Sequence, residues 1–178
     1  SYKNSNSTNS KNETLFRTKF LFKPNHSTKI KLTTYRTVLN NKYDVWAPDN
    51  NGFETFTDYQ GYDKQKTMAT SLKSTFKFNN FNLISISSYS ENNMDYSYDG
   101  DWGNDLYWYE NYNFDPIDTG YYWSFDDQSY RTRITKSQEF RLENILFKNF
   151  KFTTGIFLQL VNEEDQRIGS LFGGDGNI

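Results

Sequence analysis

The chain has no cysteine, so a disulfide framework and a thiol nucleophile are both excluded. It has one histidine, His26, inside the turn-like "KPNHST". A Ser-His-Asp arrangement or a histidine-rich zinc site has almost nothing to work with. Aliphatic residues are scarce: 35% of the 178 residues are hydrophobic, 19% are aromatic, and there are two alanines. A soluble interior built on Phe and Tyr in place of Leu, Val and Ala would be unusual. No apolar run is long enough for a membrane helix and no signal peptide is recognisable, which leaves a membrane barrel open. Between Phe78 and Tyr130 there is no Lys or Arg, against ten carboxylates from Glu91 to Asp127. Phosphate recognition needs a continuous basic face, so nucleic acid is disfavoured as a partner.

What the chain does have is enough aromatic content to argue against disorder, and a length sufficient for one domain. Period-2 segments recur. "TLFRTKFLF" (14–22), "TMATSLKSTFKF" (67–78), "SQEFRLENILF" (137–147) and "FKFTTGIFLQL" (150–160) each set apolar against polar positions, as strands with one apolar face do. "TKIKLTTYRTV" (28–38) and "FNLISISSYS" (81–90) read as strands with a less clean alternation, and no helix is expected. The alternation predicts Phe16, Phe20, Met68, Leu72, Phe140, Leu142, Phe152, Ile156 and Leu158 on one surface. Arg17, Lys19, Lys73, Arg141 and Lys151 belong on the other.

The connections alternate in length. "KPNHS", Asn79-Asn80 and Lys148-Asn149 are short, and the second is a hairpin pair that tolerates positive φ. Between them lie long polar stretches, 39–65 and 92–129, and a third is expected from Asn162. Every short turn then falls at one end of an antiparallel sheet and every long loop at the other, the asymmetry of outer-membrane barrels. Phe22, Phe76, Phe78, Phe81, Phe147, Phe150 and Phe152 lie near the short turns, like one aromatic girdle. Tyr35, Tyr43, Tyr89, Tyr96 and Tyr130 are placed for the other. The expected fold is an all-β, antiparallel transmembrane β-barrel segment of about six to seven meandering strands. Six strands fall short of the eight or so that closure needs, so the barrel is incomplete. The rival is a soluble carbohydrate-binding β-sandwich whose strand-end aromatics plug a two-sheet core. An enzyme is disfavoured for want of His and Cys and of any sharp acid pair.

With those strands in place, "NNKYDVWAPDN", "DYQGYDKQKTMATSLKS", "NLISISSYSENNMDYSYDGDWGND", "RTRITKSQEFRLEN" and "FTTGIFLQ" together resemble the mid-barrel region of TonB-dependent outer-membrane receptors. "SQEFRL", a short turn and "FTTGIF" carry the most specific part. The resemblance implies residues 1–178 as part of a barrel of roughly 22 strands with a plugged lumen, in the outer membrane of a Gram-negative bacterium. It implies a receptor and transporter that takes up a scarce ligand of siderophore, cobalamin or oligosaccharide class. Its implied partners are outer-membrane lipid, a plug domain of the same receptor and, through that domain, TonB. The family's signal peptide, plug domain, energy-coupling box and closing strand have no counterpart in this sequence. The family fixes no ligand residues at these positions.

Ligand-binding candidates therefore come from the loops themselves: Trp46 and Asp49 in the first, and Asp99, Asp101, Trp102, Asp105, Trp108 and Trp123 in the second. Flat aromatic faces beside carboxylates suit a sugar ring or another planar ligand. The same aromatics could instead pack the loop against itself. Asp99, Asp101 and Asp105 offer about half of the six to eight oxygens that a calcium ion takes, without a terminal bidentate Glu, so no metal site is assigned. The missing bases make the loop repel a bare anion, which favours a neutral glycan or a cation-accompanied ligand.

Overall fold

The computed structural model describes residues 8–47, 54–114, 124–144 and 152–172. Six strands form one antiparallel sheet in the order β1-β2-β3-β4-β5-β6, each paired only with its sequence neighbours. They are β1 (Glu13–Phe22), β2 (Thr28–Tyr43), β3 (Gly61–Lys77), β4 (Phe81–Asp99), β5 (Ser124–Asn144) and β6 (Thr153–Phe172). The sheet is all-β and open, so the described strands do not close into a barrel. A second sheet, which a sandwich requires, is not among the described residues.

Local chemistry sets the short ends. Asn25 Oδ1 accepts hydrogen bonds from the backbone N–H groups of Ser27 and Thr28, at 3.0 and 2.7 Å, and turns the chain into β2. Phe78 N–H donates to Phe81 C=O at 2.8 Å around Asn79-Asn80, closing the expected two-residue hairpin. The phenyl rings of Phe78 and Phe81 stack at 4.5 Å. The Lys148-Asn149 turn, with Phe147, Phe150 and Lys151, lies outside the described residues.

Directly opposite residues share a face, and the register therefore assigns every side chain in the strands. Phe20, Leu32, Leu72, Ser87, Gln138 and Leu158 form one row across all six strands. Phe16 with Met68, and Phe22 with Ile30, Phe140 and Ile156, stand on the same face, as does Leu142. Arg17, Lys19, Lys73 and Arg141 stand on the other. Eight of the nine apolar positions thus share the face that alternation predicted; the ninth, Phe152, precedes β6. All five ion pairs among the described residues also lie on the polar face: Arg131 with Glu163 and Asp165, Arg133 with Glu163, Arg141 with Glu139, and Arg167 with Asp127. The apolar band is bare, with Phe16 66% and Leu158 64% exposed, and Ile84 and Tyr107 are the only fully buried large apolar residues described.

Three expectations are corrected. The strands run much further toward the long-loop end than the apolar pattern marked: β2 to Tyr43, β4 to Asp99 and β6 to Phe172. The stretch from Asn162 is strand, not loop. Backbone ladders propagate through Thr, Asn, Ser and Tyr whether or not one face is apolar, so the loss of alternation marked the end of the band and not of the sheet. The second aromatic girdle is divided. Tyr89 and Tyr130 stand on the apolar face, whereas Tyr35, Tyr43 and Tyr96 fall on the other by parity, and Tyr43 and Tyr96 meet edge to face at 4.9 Å. Finally, the second long connection contains a helix, α1 (Asp105–Tyr112).

Candidate functional site

The loop-end structure begins with caps and side-chain bonds. Asn104 Oδ1 accepts the Tyr107 N–H at 2.9 Å, and Asp105 stands in the first turn, where a negative charge favours a helix start. Asn113, at φ 57°, ends α1 in the left-handed region. The helix is aromatic throughout ("DLYWYENY"), so packing and not propensity holds it. Phe56 stacks on buried Tyr107 at 4.9 Å, and Trp108 packs on Tyr112 and Phe114. Gly103 makes room for this: a Cβ there would sit 2.6 Å from Trp108 Nε1.

Residues 44–47 and 54–60 fold over the same end and are stitched down. Buried Asp44 accepts the hydroxyls of Thr55 at 2.8 Å and Thr57 at 3.1 Å. Tyr59 Oη accepts from Ser97 Oγ at 2.8 Å and from Gln128 Nε2 at 3.1 Å, bridging β4 and β5. Asn104 Nδ2 donates to Phe56 C=O at 2.6 Å.

At the junction sits a carboxylate cluster. Asp99 is 4% exposed and accepts three backbone N–H groups, from Asp58 at 3.2 Å and from Asp101 and Trp102 at 3.3 Å each. Carboxylate oxygens of Asp58, Asp99 and Asp101 lie within 4.8 Å of one another. Burial, followed by the hydrogen bond with Asp99, pushes the Asp101 carboxyl up to about 8. With its carboxyl raised that far, Asp101 favours the neutral form, which relieves its repulsion with Asp99. Three carboxylates supply half or fewer of the oxygens that a hard cation takes.

Beside this cluster, Trp46 and Trp102 stack with centroids 6.1 Å apart and planes 28° from parallel. Both are open to solvent, at 55% and 41% exposure. Trp102 is held at φ 61°, an uncommon conformation for a bulky residue, with its N–H on Asp99.

Of the sequence candidates, Trp46, Asp99, Asp101 and Trp102 are brought together. Asp105 and Trp108 serve the helix instead, and Asp49 and Trp123 lie outside the described residues. Sequence reasoning missed Asp58, Asp44 and Tyr59. Nothing local marks them, because Asp58 and Tyr59 join the site through loop-to-strand contacts 38 to 69 residues away and Asp44 through Thr55 and Thr57, 11 and 13 residues on.

The raised Asp101 carboxyl carries a pH prediction. A carboxyl raised in the folded state contributes stability that is fully present below its unfolded value and is lost as pH rises. The loop junction should therefore loosen as pH climbs from about 4 to about 8. The change is read as altered tryptophan fluorescence from the Trp46–Trp102 pair. Asp101→Asn should remove the transition; an unchanged titration in that variant would contradict the assignment.

No family model and no curated protein matches this chain.

Proposed function

We propose that this chain is a stretch of the wall of an outer-membrane β-barrel, part of an energy-coupled receptor that takes up a scarce ligand. The observation that carries the reading is the bias of the two faces, with Arg36, Glu91 and Lys136 as charged exceptions on the apolar one. Eight large apolar side chains line one face of a sheet with no second layer against it among the described residues, and every ion pair lies on the other. Burying eight such side chains is worth on the order of 10–20 kcal/mol, and lipid is the medium that offers it to a single sheet. From Phe76 to Met68 the band covers nine residues, or eight steps, about 27 Å along the strand. At the tilt of membrane strands this becomes roughly 20 Å, near the apolar height of outer-membrane barrels.

In this reading the polar face lines the lumen, and residues 44–47, 54–60 and 100–114 stand on the ligand side. The Trp46–Trp102 stack next to Asp99 and Asp101 favours a neutral, ring-bearing ligand of the glycan type, or one accompanied by a cation. Plug-domain and TonB partnership belong to the same proposal through the resemblance of the strand sequences.

The test is flotation with lipid vesicles followed by an alkaline wash. The protein should remain with the vesicles, and solubility as a monodisperse monomer without detergent would overturn the reading.

A further inference from the structure

The cations of the polar face fall into two groups. On β5 and β6, Arg131, Arg133, Arg141 and Arg167 each hold a carboxylate of the same two strands. On β1, β2 and β3 none is answered. Arg17, Lys19, Lys29, Lys31, Lys73 and Lys77 occupy five successive rows of this face, from the row of Arg17, Tyr35 and Ala69 to the end of β3. Eight residue steps and three strands make the strip about 27 Å long and about 10 Å wide. We infer that an acidic polypeptide segment lies against this strip, with carboxylates over Lys31 and Lys73. The inference rests on the membrane-wall reading above, in which this face looks into the lumen. It adds to that reading the sign of what the wall holds and the three strands that hold it.

Three observations carry it. The first is uncompensated charge. None of the six side chains takes part in an ion pair among the described residues, and β4 adds no carboxylate to these rows. Lys31 and Lys73 stand directly opposite each other, an arrangement of like charges that destabilises a sheet. Adjacent rows are about 7 Å apart, inside the roughly 8 Å screening length of physiological salt, so the rows repel one another as well. The second is apolar surface on the same face. Leu15 and Leu21 are 67% and 53% exposed, and Leu21 stands in the row of Lys31 and Lys73. Bare leucines between ammonium groups gain from an apolar neighbour, which a polypeptide offers and a small anion or a phosphate backbone does not. The third is position. The apolar band lies on the opposite face, so anionic lipid does not supply the counter-charge. The need is also confined to β1–β3, because β5 and β6 neutralise themselves.

The experiment treats the full-length protein in vesicles with a water-soluble carbodiimide, which joins an ammonium to a carboxylate only where the two touch. The new amide bonds are mapped by mass spectrometry. Lys31 and Lys73 should be joined to Asp or Glu residues outside the six strands. A water-soluble acetylating reagent should modify Lys19 and Lys29 at least tenfold more slowly than in the unfolded protein. Lys31→Glu/Lys73→Glu should release that protection at least tenfold, whereas Lys31→Arg/Lys73→Arg should keep it. Acetylation of the wild type at the unfolded rate would overturn the inference, since the strip would then be open to water. Links confined to Glu139 and Glu143 of β5 would overturn it too, as would protection that survives the charge reversal. Protection that disappears when a bound nucleic acid or polyphosphate is washed away would replace the polypeptide by another polyanion. Any of these results in a protein that stays with vesicles removes the acidic segment alone, whereas failure of flotation removes the membrane wall itself.

Discussion

If the sheet is the membrane wall proposed above, Leu72→Arg is expected to lower its stability in the bilayer by about 2–4 kcal/mol, the cost of an Arg at the midplane. Leu72 stands in the middle of the band, opposite Leu32 and Ser87, where an arginine has little chance to reach an interface. Ser71→Arg, one residue away, turns to the polar face beside Thr33 and Ser88 and should change stability by well under 1 kcal/mol. The pair separates a membrane wall from a merely exposed sheet, since on a water-solvated sheet both substitutions would be mild. Denaturant unfolding from vesicles measures the difference.

Gly61→Val should be the most damaging change at the long-loop end, the proposed ligand side. A Cβ at Gly61 would lie 2.3 Å from Ser97 O, 2.6 Å from Tyr43 O and 2.8 Å from Tyr98 Cα. All three are backbone atoms that cannot rotate aside, so β2, β3 and β4 would have to separate where the loops attach. Overpacking of this kind costs about 1–3 kcal/mol or more. The loss should be local: the Tyr59–Ser97 and Asp58–Asp99 bonds go first, and ligand binding with them, while the apolar band stays in the bilayer. Gly169→Ala is the control, because its nearest neighbours are Phe125 ring atoms at 3.8 Å. Ligand affinity measured beside vesicle retention would show binding lost in Gly61→Val and kept in Gly169→Ala. Retained affinity in Gly61→Val would detach the loop junction from ligand binding.

The part of the fold nearest the short turns was legible because two signals coincide there. Alternation in "TLFRTKFLF" and "SQEFRLEN" fixes the faces, and Asn79-Asn80 fixes a register. Toward the loops those signals fade. In "NNKYDV" and "VNEEDQRIGS" both faces are polar, and the strands persist on backbone pairing that leaves no periodic trace. Helix α1 was hidden by its own composition, since aromatic and Asn residues are poor helix formers. It is held by the Asn104 cap and by Phe56, a residue 48 positions earlier. The candidate site was half legible. Trp46, Asp99, Asp101 and Trp102 were picked for their chemistry, which survives into the structure. Asp58 could not be, because a lone Asp in "FETFTDYQ" acquires meaning only when the loop lies across β4.

Because the chain has no cysteine, single cysteines introduced along β3 report one position at a time, which makes the two-faced wall directly measurable. Spin labels at 68, 70, 72, 74 and 76, and at 69, 71, 73 and 75, would be read in vesicles for contact with dissolved oxygen and with a water-soluble relaxation agent. The account predicts strict alternation, with the even positions in lipid and the odd positions in water. Uniform water exposure at both parities, or alternation in the opposite phase, would contradict it.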